Sequence, residues 1–190
     1  MIKDNQKYFN RLHLLIDAAV TAISYSLAWL IKFATPLSDT EPGVTALSVE
    51  TYFSALYFIV PGYVVLYYVF NMYTPKRATR RKYEILGIIK ANTAGTMLFM
   101  VVLYAFKIEH FSRLLVGLFY IINIILTTFS KTMIRNVLQY FRKKGYNLKY
   151  VLLVGYSRAA EEYITRINAN PQWGYVVRGI LDDRVPSGTL

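Results

Sequence analysis

Polar and apolar residues along this chain separate into blocks rather than short periods. Four runs of predominantly apolar residues stand out: LHLLIDAAVTAISYSLAWLIKF from Leu12 to Phe33, TYFSALYFIVPGYVVLYYVF from Thr51 to Phe70, ILGIIKANTAGTMLFMVVLYAF from Ile85 to Phe106, and LLVGLFYIINIILTTFSKTMI from Leu114 to Ile134. About 20 helical residues cross the roughly 30 Å of hydrocarbon in a bilayer. Lipid offers no partner for exposed backbone groups, so each run is predicted to be a transmembrane helix. The first run follows Lys3, Lys7 and Arg11, as a signal peptide would. It is longer than the about 7–15 apolar residues of such a segment, and no small-x-small cleavage site follows cleanly, so it reads as a retained anchor.

After the fourth run the pattern changes twice. From Lys131 to Lys144, Met133, Ile134, Val137, Leu138 and Phe141 recur at helical spacing among Lys131, Arg135 and Arg142. This predicts an amphipathic exit helix, either at the headgroup layer or as a solvated extension, with Gly145 as its stop. Then Tyr150–Val154 reads as a buried-type strand, Gly155 as a turn, Ala159–Ile167 as a helix ended by Asn170-Pro171, and Tyr175–Leu181 as a second strand ending in Asp182 and Asp183. The expected fold is an α-helical membrane protein with four transmembrane helices, followed by the start of an α/β Rossmann-like cytoplasmic domain. Residues 1–134 form the four-helix domain, 135–149 the exit helix and linker, and 150–190 an incomplete β–α–β unit. A parallel sheet of this class needs more strands than two, so a longer protein is expected.

Composition sharpens this. Of 190 residues, 55% are hydrophobic, and 17 are Tyr, which suits the interface of a bilayer. Absence of cysteine excludes disulfides, zinc–thiolate sites and cysteine nucleophiles. The net charge of +11 would suit nucleic acid or anionic lipid. The cations sit just beyond the ends of apolar runs, which favours lipid and topology and predicts no nucleic-acid partner. Lys3, Lys7 and Arg11 precede the first run; Lys76, Arg77, Arg80, Arg81 and Lys82 lie between the second and third; Arg135, Arg142, Lys143, Lys144 and Lys149 follow the fourth. The other loops hold Lys107 and Arg113, beyond Lys32 at the edge of the first run, with Asp39, Glu41, Glu50 and Glu109. The positive-inside rule then predicts a multi-pass protein with both termini cytoplasmic. The loop Thr35–Glu50, with Pro36, Pro42 and Gly43 as turn signals, faces outward, and the third and fourth helices form a tight hairpin.

Polar residues inside the runs are candidates for function or packing. Asp17 and Lys90 each lie six residues past the cytoplasmic mouth of their span, roughly 9 Å deep at 1.5 Å per residue. Charges in lipid pair, face the bundle interior or mark a site, so an Asp17–Lys90 ion pair is expected; the alternative is that Lys90 snorkels and Asp17 reaches water. Pro61-Gly62 predicts a kink in the second span, which opens a groove for a lipid tail or only shapes packing. Ser54, Asn92, Thr93 and Thr127 are expected to hydrogen-bond between helices. His13 and His110 fall at opposite membrane faces and cannot share a metal or proton relay. No metal site and no catalytic residue is expected in this chain.

The turn after the first strand resembles a dinucleotide fingerprint only in part. That fingerprint is Gly-x-Gly-x-x-Gly with an acid ending the second strand. Here the string is Gly155-Tyr156-Ser157-Arg158-Ala159-Ala160, keeping the first glycine. Gly155, Ser157, Arg158 and Asp182 are the weak cofactor-binding candidates: Arg158 for a phosphate at the helix N-terminus, Asp182 or Asp183 for a ribose hydroxyl. A degenerate scaffold without cofactor is the preferred reading.

Four spans, a basic exit helix and then NLKYVLLVG resemble the N-terminal half of bacterial polyprenyl-phosphate hexose-1-phosphate transferases of the undecaprenyl-phosphate glucose phosphotransferase type. Phe111–Arg113 (FSR) and Arg135–Gly155 (RNVLQYFRKKGYNLKYVLLVG) carry the resemblance, which covers essentially the whole chain. It implies a protein of the bacterial inner membrane that moves sugar-1-phosphate from a UDP-sugar to undecaprenyl phosphate, opening capsule, exopolysaccharide or O-antigen synthesis. It further implies that Mg2+ and a catalytic Asp–Glu pair belong to a domain outside these 190 residues, so that this chain alone is inactive. Asp182-Asp183 is not such a pair. Two other readings share the layout: the N-terminal part of a membrane-bound nucleotide-sugar dehydratase or epimerase of glycan assembly, and a non-enzymatic module that assembles as a homo-oligomer.

Overall fold

The computed structural model describes residues 2–34 (side chains from 11), 48–74, 77, 81–107 and 111–182. The expected outward loop therefore lies almost wholly outside the described residues, as do Lys76, Arg80, Glu109, His110 and Asp183. Helix α1 spans Ile2–Ala34, α2 Val49–Ser54, α3 Leu56–Val69, α4 Arg81–Ala105 and α5 Arg113–Lys143. Strand β1 (Lys149–Val154), helix α6 (Arg158–Asn168), a 3-10 turn (Pro171–Trp173) and strand β2 (Tyr175–Leu181) follow. Four helical segments, Arg11–Ala34, Val49–Val69, Arg81–Ala105 and Arg113–Lys143, are long and apolar enough to cross a membrane. The chain is thus mostly helical, with a small parallel sheet.

Two compact units divide it, one within 1–75 and 79–131, the other within 76–78 and 132–190. In the first, α3 packs on α1 and on α4. Around a core that includes Tyr25, Ile59, Tyr63, Leu115 and Phe119, its outer surface is unusually apolar and its interior unusually polar. Leu15, Ile23, Val65, Val101, Ile121, Ile125 and Phe129 are exposed, while Asp17, Thr21, Ser24, Asn92, Asn123, Thr127 and Lys131 are buried. This suits helices that cross a membrane, which gain nothing by hiding apolar groups from water and are held by polar contacts and close packing. At one end of the bundle the contacts are aromatic. Tyr52 and Phe111 meet as tilted rings at 5.0 Å between centres, Phe99 meets Phe111 at 5.5 Å, and Phe33 meets Tyr52 at 5.2 Å.

The second span holds a surprise. Its helix lapses at Ala55, which keeps helical dihedrals (φ −60, ψ −25), and Pro61 lies inside α3. Proline lacks the N–H that would reach the Tyr57 carbonyl, so the local cost falls at that turn. Beside it runs a groove of about 50 Å³ lined by residues such as Phe58, Gly62, Leu66, Gly95 and Val102. Gly95 is required there: a Cβ would stand 2.7 Å from the Tyr63 ring. The span ends as helices do when the C′ residue is left-handed. Asn71 has φ 54, its N–H reaches the Tyr68 carbonyl at 3.0 Å, and Met72 N–H reaches Tyr67 at 2.9 Å.

In the second unit β1 and β2 pair in parallel, Lys149 against Tyr175 through Val154 against Leu181, with an irregularity after Val151. Helix α5 is stopped as expected at Gly145 (φ 88): its N–H bonds the Arg142 carbonyl, Tyr146 N–H bonds that of Phe141, and the Phe141 and Tyr146 rings meet. This is the two-bond left-handed closure with its hydrophobic contact. The expected exit helix is continuous with the fourth span. Thirty-one unbroken residues run about 46 Å, longer than the hydrocarbon is thick.

Candidate functional site

Inside the bundle, Asp17 meets Lys131. The ammonium donates to both carboxylate oxygens, at 2.7 and 3.0 Å, with both side chains buried. This corrects the expected Asp17–Lys90 pair. Lys90 is exposed on α4, where a long side chain can reach polar surroundings. Depth along the helix places both lysines plausibly; rotation about the axis decides, and only Lys131 faces the interior. Asp17 does not reach water either. The Lys131 ammonium also lies 5.7 Å from the centre of the Tyr67 ring and 5.4 Å from that of Tyr73, where the ring faces favour a cation. Burial, and then the Asp17 charge, raises the pKa of the Tyr73 hydroxyl, which therefore stays a neutral phenol.

A polar chain continues from this pair. Tyr67 Oη and Thr127 Oγ1 lie 3.3 Å apart, Asn123 Nδ2 donates to Tyr67 Oη at 3.4 Å and to Asn92 Oδ1 at 2.6 Å. Asn92 Nδ2 donates to the Ile88 carbonyl at 2.9 Å, and Tyr63 Oη bonds Thr96 at 2.9 Å. Four spans thus contribute to one buried set: Asp17 from α1, Tyr63 and Tyr67 from α3, Asn92 from α4, and Asn123, Thr127 and Lys131 from α5. Asn92, Thr93 and Thr127 bond between helices as expected, Thr93 to Tyr120 at 3.0 Å. Ser54 does not; its hydroxyl returns to the Thr51 carbonyl of its own helix. Each of these seven side chains has a partner, while the Tyr73 hydroxyl beside Lys131 is buried without one; the bonded set suits a lock better than a ligand site.

The second unit is held at its strand starts by Arg77, a residue the sequence pattern does not single out among its basic neighbours. Its guanidinium donates to the carbonyls of Asn147 (3.2 Å), Trp173 (3.3 Å) and Gly174 (3.3 Å) and to Asn147 Oδ1 (3.2 Å). It also lies over the Tyr175 ring at 5.6 Å. Partial burial lowers its pKa from the usual value, with Tyr175 acting in the opposite sense. Gly174 (φ 67) cannot carry a Cβ, which would meet the Arg142 stem at 2.9 Å.

At the strand ends lies the turn that the fingerprint points to. Gly155 has φ 81, which explains the glycine by conformation alone. Its N–H donates to the Leu181 carbonyl at 2.7 Å, and the next amide, of Tyr156, donates to Asp182 Oδ2 at 2.5 Å. Ser157 is the N-cap of α6, its Oγ accepting from Ala160 N–H at 3.4 Å. The Tyr156 hydroxyl donates to Glu161 at 2.9 Å, and that carboxylate raises its pKa. Arg158 is exposed at the first helical position. So Gly155, Ser157, Arg158 and Asp182 do gather at one turn. Among the described residues no three His, Cys, Asp or Glu side chains cluster as a metal site would require.

Four helices long and apolar enough to cross a membrane, together with a parallel β–α–β unit, are consistent with a membrane protein that carries an α/β portion. The chain belongs to the CoA-binding domain family, whose profile matches residues 68–190. The match begins at the end of α3 and so includes Arg77, α4, α5 and both strands. No curated protein and no solved structure gives a significant match. Coenzyme A carries a diphosphate and a ribose phosphate, all anionic. The turn fits it poorly: its amides already bond Asp182 and Leu181, and the carboxylates of Asp182 and Glu161 lie beside Arg158, the exposed cation that opens α6.

Proposed function

We propose that this chain is the membrane and scaffold portion of a transferase that moves sugar-1-phosphate from a UDP-sugar to undecaprenyl phosphate. It would act at the bacterial inner membrane with both termini cytoplasmic, starting capsule, exopolysaccharide or O-antigen synthesis. The observation that carries this reading is one family domain running unbroken through two apolar spans into the β–α–β unit. That layout joins a lipid-embedded half to a soluble half, as a reaction between a membrane phosphate and a water-soluble sugar nucleotide demands. The motifs Phe111–Arg113 and Arg135–Gly155 support the same family of enzymes.

In this reading Asp17 and Asp182 are structural. Asp17 is neutralised by Lys131, and Asp182 is tied to a backbone amide. The attacking carboxylate and Mg2+ belong to a domain outside these residues. The chain contributes anchoring and self-association: polar contacts between spans favour a homo-oligomer. The test is to place the purified chain in nanodiscs containing undecaprenyl phosphate, add UDP-glucose and Mg2+, and measure UMP. No release above blank is expected from the chain alone, and native mass spectrometry should show an oligomer. UMP release by this chain, or a monomer throughout, contradicts the assignment of a scaffold role.

A further inference from the structure

We propose that Asp182 closes the Gly155 turn in place of a ligand, so that the β–α–β unit stands as a self-capped strut and takes neither coenzyme A nor a nucleotide. In a working dinucleotide turn the acid that ends the second strand holds a ribose hydroxyl, and that ribose sits between the acid and the glycine-rich backbone. Here acid and backbone bond each other directly, Asp182 Oδ2 to Tyr156 N–H at 2.5 Å, leaving no gap for a sugar ring. Two consecutive amides, Gly155 and Tyr156, are clipped to two consecutive residues, Leu181 and Asp182.

The pyrophosphate seat is altered as well. Ser157 replaces the glycine that would let a phosphate approach the backbone, and its Oγ already accepts from the first turn of α6. The side chain occupies the space through which a phosphate would approach the backbone amides at that point. Glu161, in the same first turn and bonded to Tyr156, adds a full negative charge where the helix N-terminus would otherwise attract an anion. The turn thus carries the negative group that a nucleotide would bring. The same unit is clipped at its strand starts by Arg77. The two-stranded sheet is therefore fastened at both ends by the chain's own side chains.

The experiment uses the whole 190-residue chain in detergent micelles, with amide hydrogen exchange read by mass spectrometry and equilibrium dialysis of radiolabelled coenzyme A and UDP-glucose. The wild type should show a protected Tyr156 amide and no saturable binding of either compound at millimolar concentration. Asp182→Ala should exchange at Tyr156 roughly tenfold faster, because a hydrogen bond to a charged acceptor is lost, and should still bind neither compound. Asp182→Asn, which keeps the shape and a neutral acceptor, should fall between them and guards against simple unfolding of the alanine variant. Saturable binding of either compound to the wild type, with slowed exchange across residues 155–161, overturns the proposal. So does an unchanged Tyr156 exchange rate in both variants. Neither result depends on UMP release, so this inference and the transferase reading fail separately.

Discussion

The two units of this chain solve opposite problems with the same kind of group. The bundle turns many large apolar side chains outward and buries two charges, Asp17 and Lys131, with the amides of Asn92 and Asn123. The β–α–β unit turns charges outward: α6 buries Ile167 alone among its described residues, while Leu152 and Val154 of β1 remain exposed, because two strands cannot cover both their faces. Each unit nevertheless places one cation among polar acceptors. Lys131 meets a carboxylate, Asp17; Arg77 meets neutral carbonyls. In the bundle the charge itself must be cancelled. In the other unit the geometry of a planar fork matters, since several carbonyls are gathered by one side chain.

The largest effect should come from splitting the bundle's pair. Lys131→Met leaves Asp17 buried without a counter-charge, and Asp17→Asn does the same to Lys131. Removing one partner of a buried pair costs about 3–5 kcal/mol. Each single variant should melt far below the wild type in detergent. The double variant Asp17→Asn/Lys131→Met should recover most of the loss, because no bare charge remains. Additive losses in this cycle would mean that the two groups do not sense each other. Lys90→Met, by contrast, should leave the melting temperature nearly unchanged.

Next comes the closest approach between helices. Gly95→Ala sets a methyl about 2.7 Å from the Tyr63 ring, which must move. Overpacking of this kind costs about 1–3 kcal/mol. Pairing it with Tyr63→Leu should restore part of the stability, although the Tyr63–Thr96 hydrogen bond is then lost. If Gly95→Ala melts like the wild type, α3 and α4 do not pack through this contact.

These two tests mark where the sequence is legible and where it is not. The spans are readable because hydrocarbon thickness imposes a length, and Leu12–Phe33 or Ile85–Phe106 needs no partner to be recognised. Strand β2 falls on Tyr175–Leu181 as its pattern predicts, and Gly145 stops α5 where a left-handed residue is needed. The partner of Asp17 is another matter. Depth is written in residue counts, but the direction of a side chain depends on how helices rotate in packing. Lys131 also reads as part of the basic exit helix, because apolar periodicity continues past it without a break. Arg77 is hidden for a similar reason: in a run with Lys76, Arg80, Arg81 and Lys82, nothing local distinguishes the cation that finds carbonyls. At the Gly155 turn the residues were visible, but their bonds to each other were not.

The amide link in the bundle is worth less than the ion pair. Asn123→Leu removes the 2.6 Å bond to Asn92 and orphans that side-chain oxygen. Hydrogen bonds between membrane helices average about 0.6 kcal/mol and reach about 1.7, so a modest fall in melting temperature is expected. A loss as large as that of Lys131→Met would show that the amides, rather than the charges, fix how the helices rotate.

The smallest effect sharpens the contrast most. Arg77→Lys keeps the charge but not the fork, since one ammonium on a flexible stem cannot hold the Asn147, Trp173 and Gly174 carbonyls together. The expected loss is about 0.5–1.5 kcal/mol, the value of a hydrogen bond or so at a half-buried site. It should appear as faster amide exchange at Lys149 and Tyr175, the starts of the two strands, with the melting of the bundle unchanged. If lysine substitutes without loss, the charge alone anchors this segment, and Lys131 and Arg77 act by one principle. If exchange quickens at the strand starts while the charge is conserved, then Lys131 is held by what it cancels and Arg77 by what it reaches.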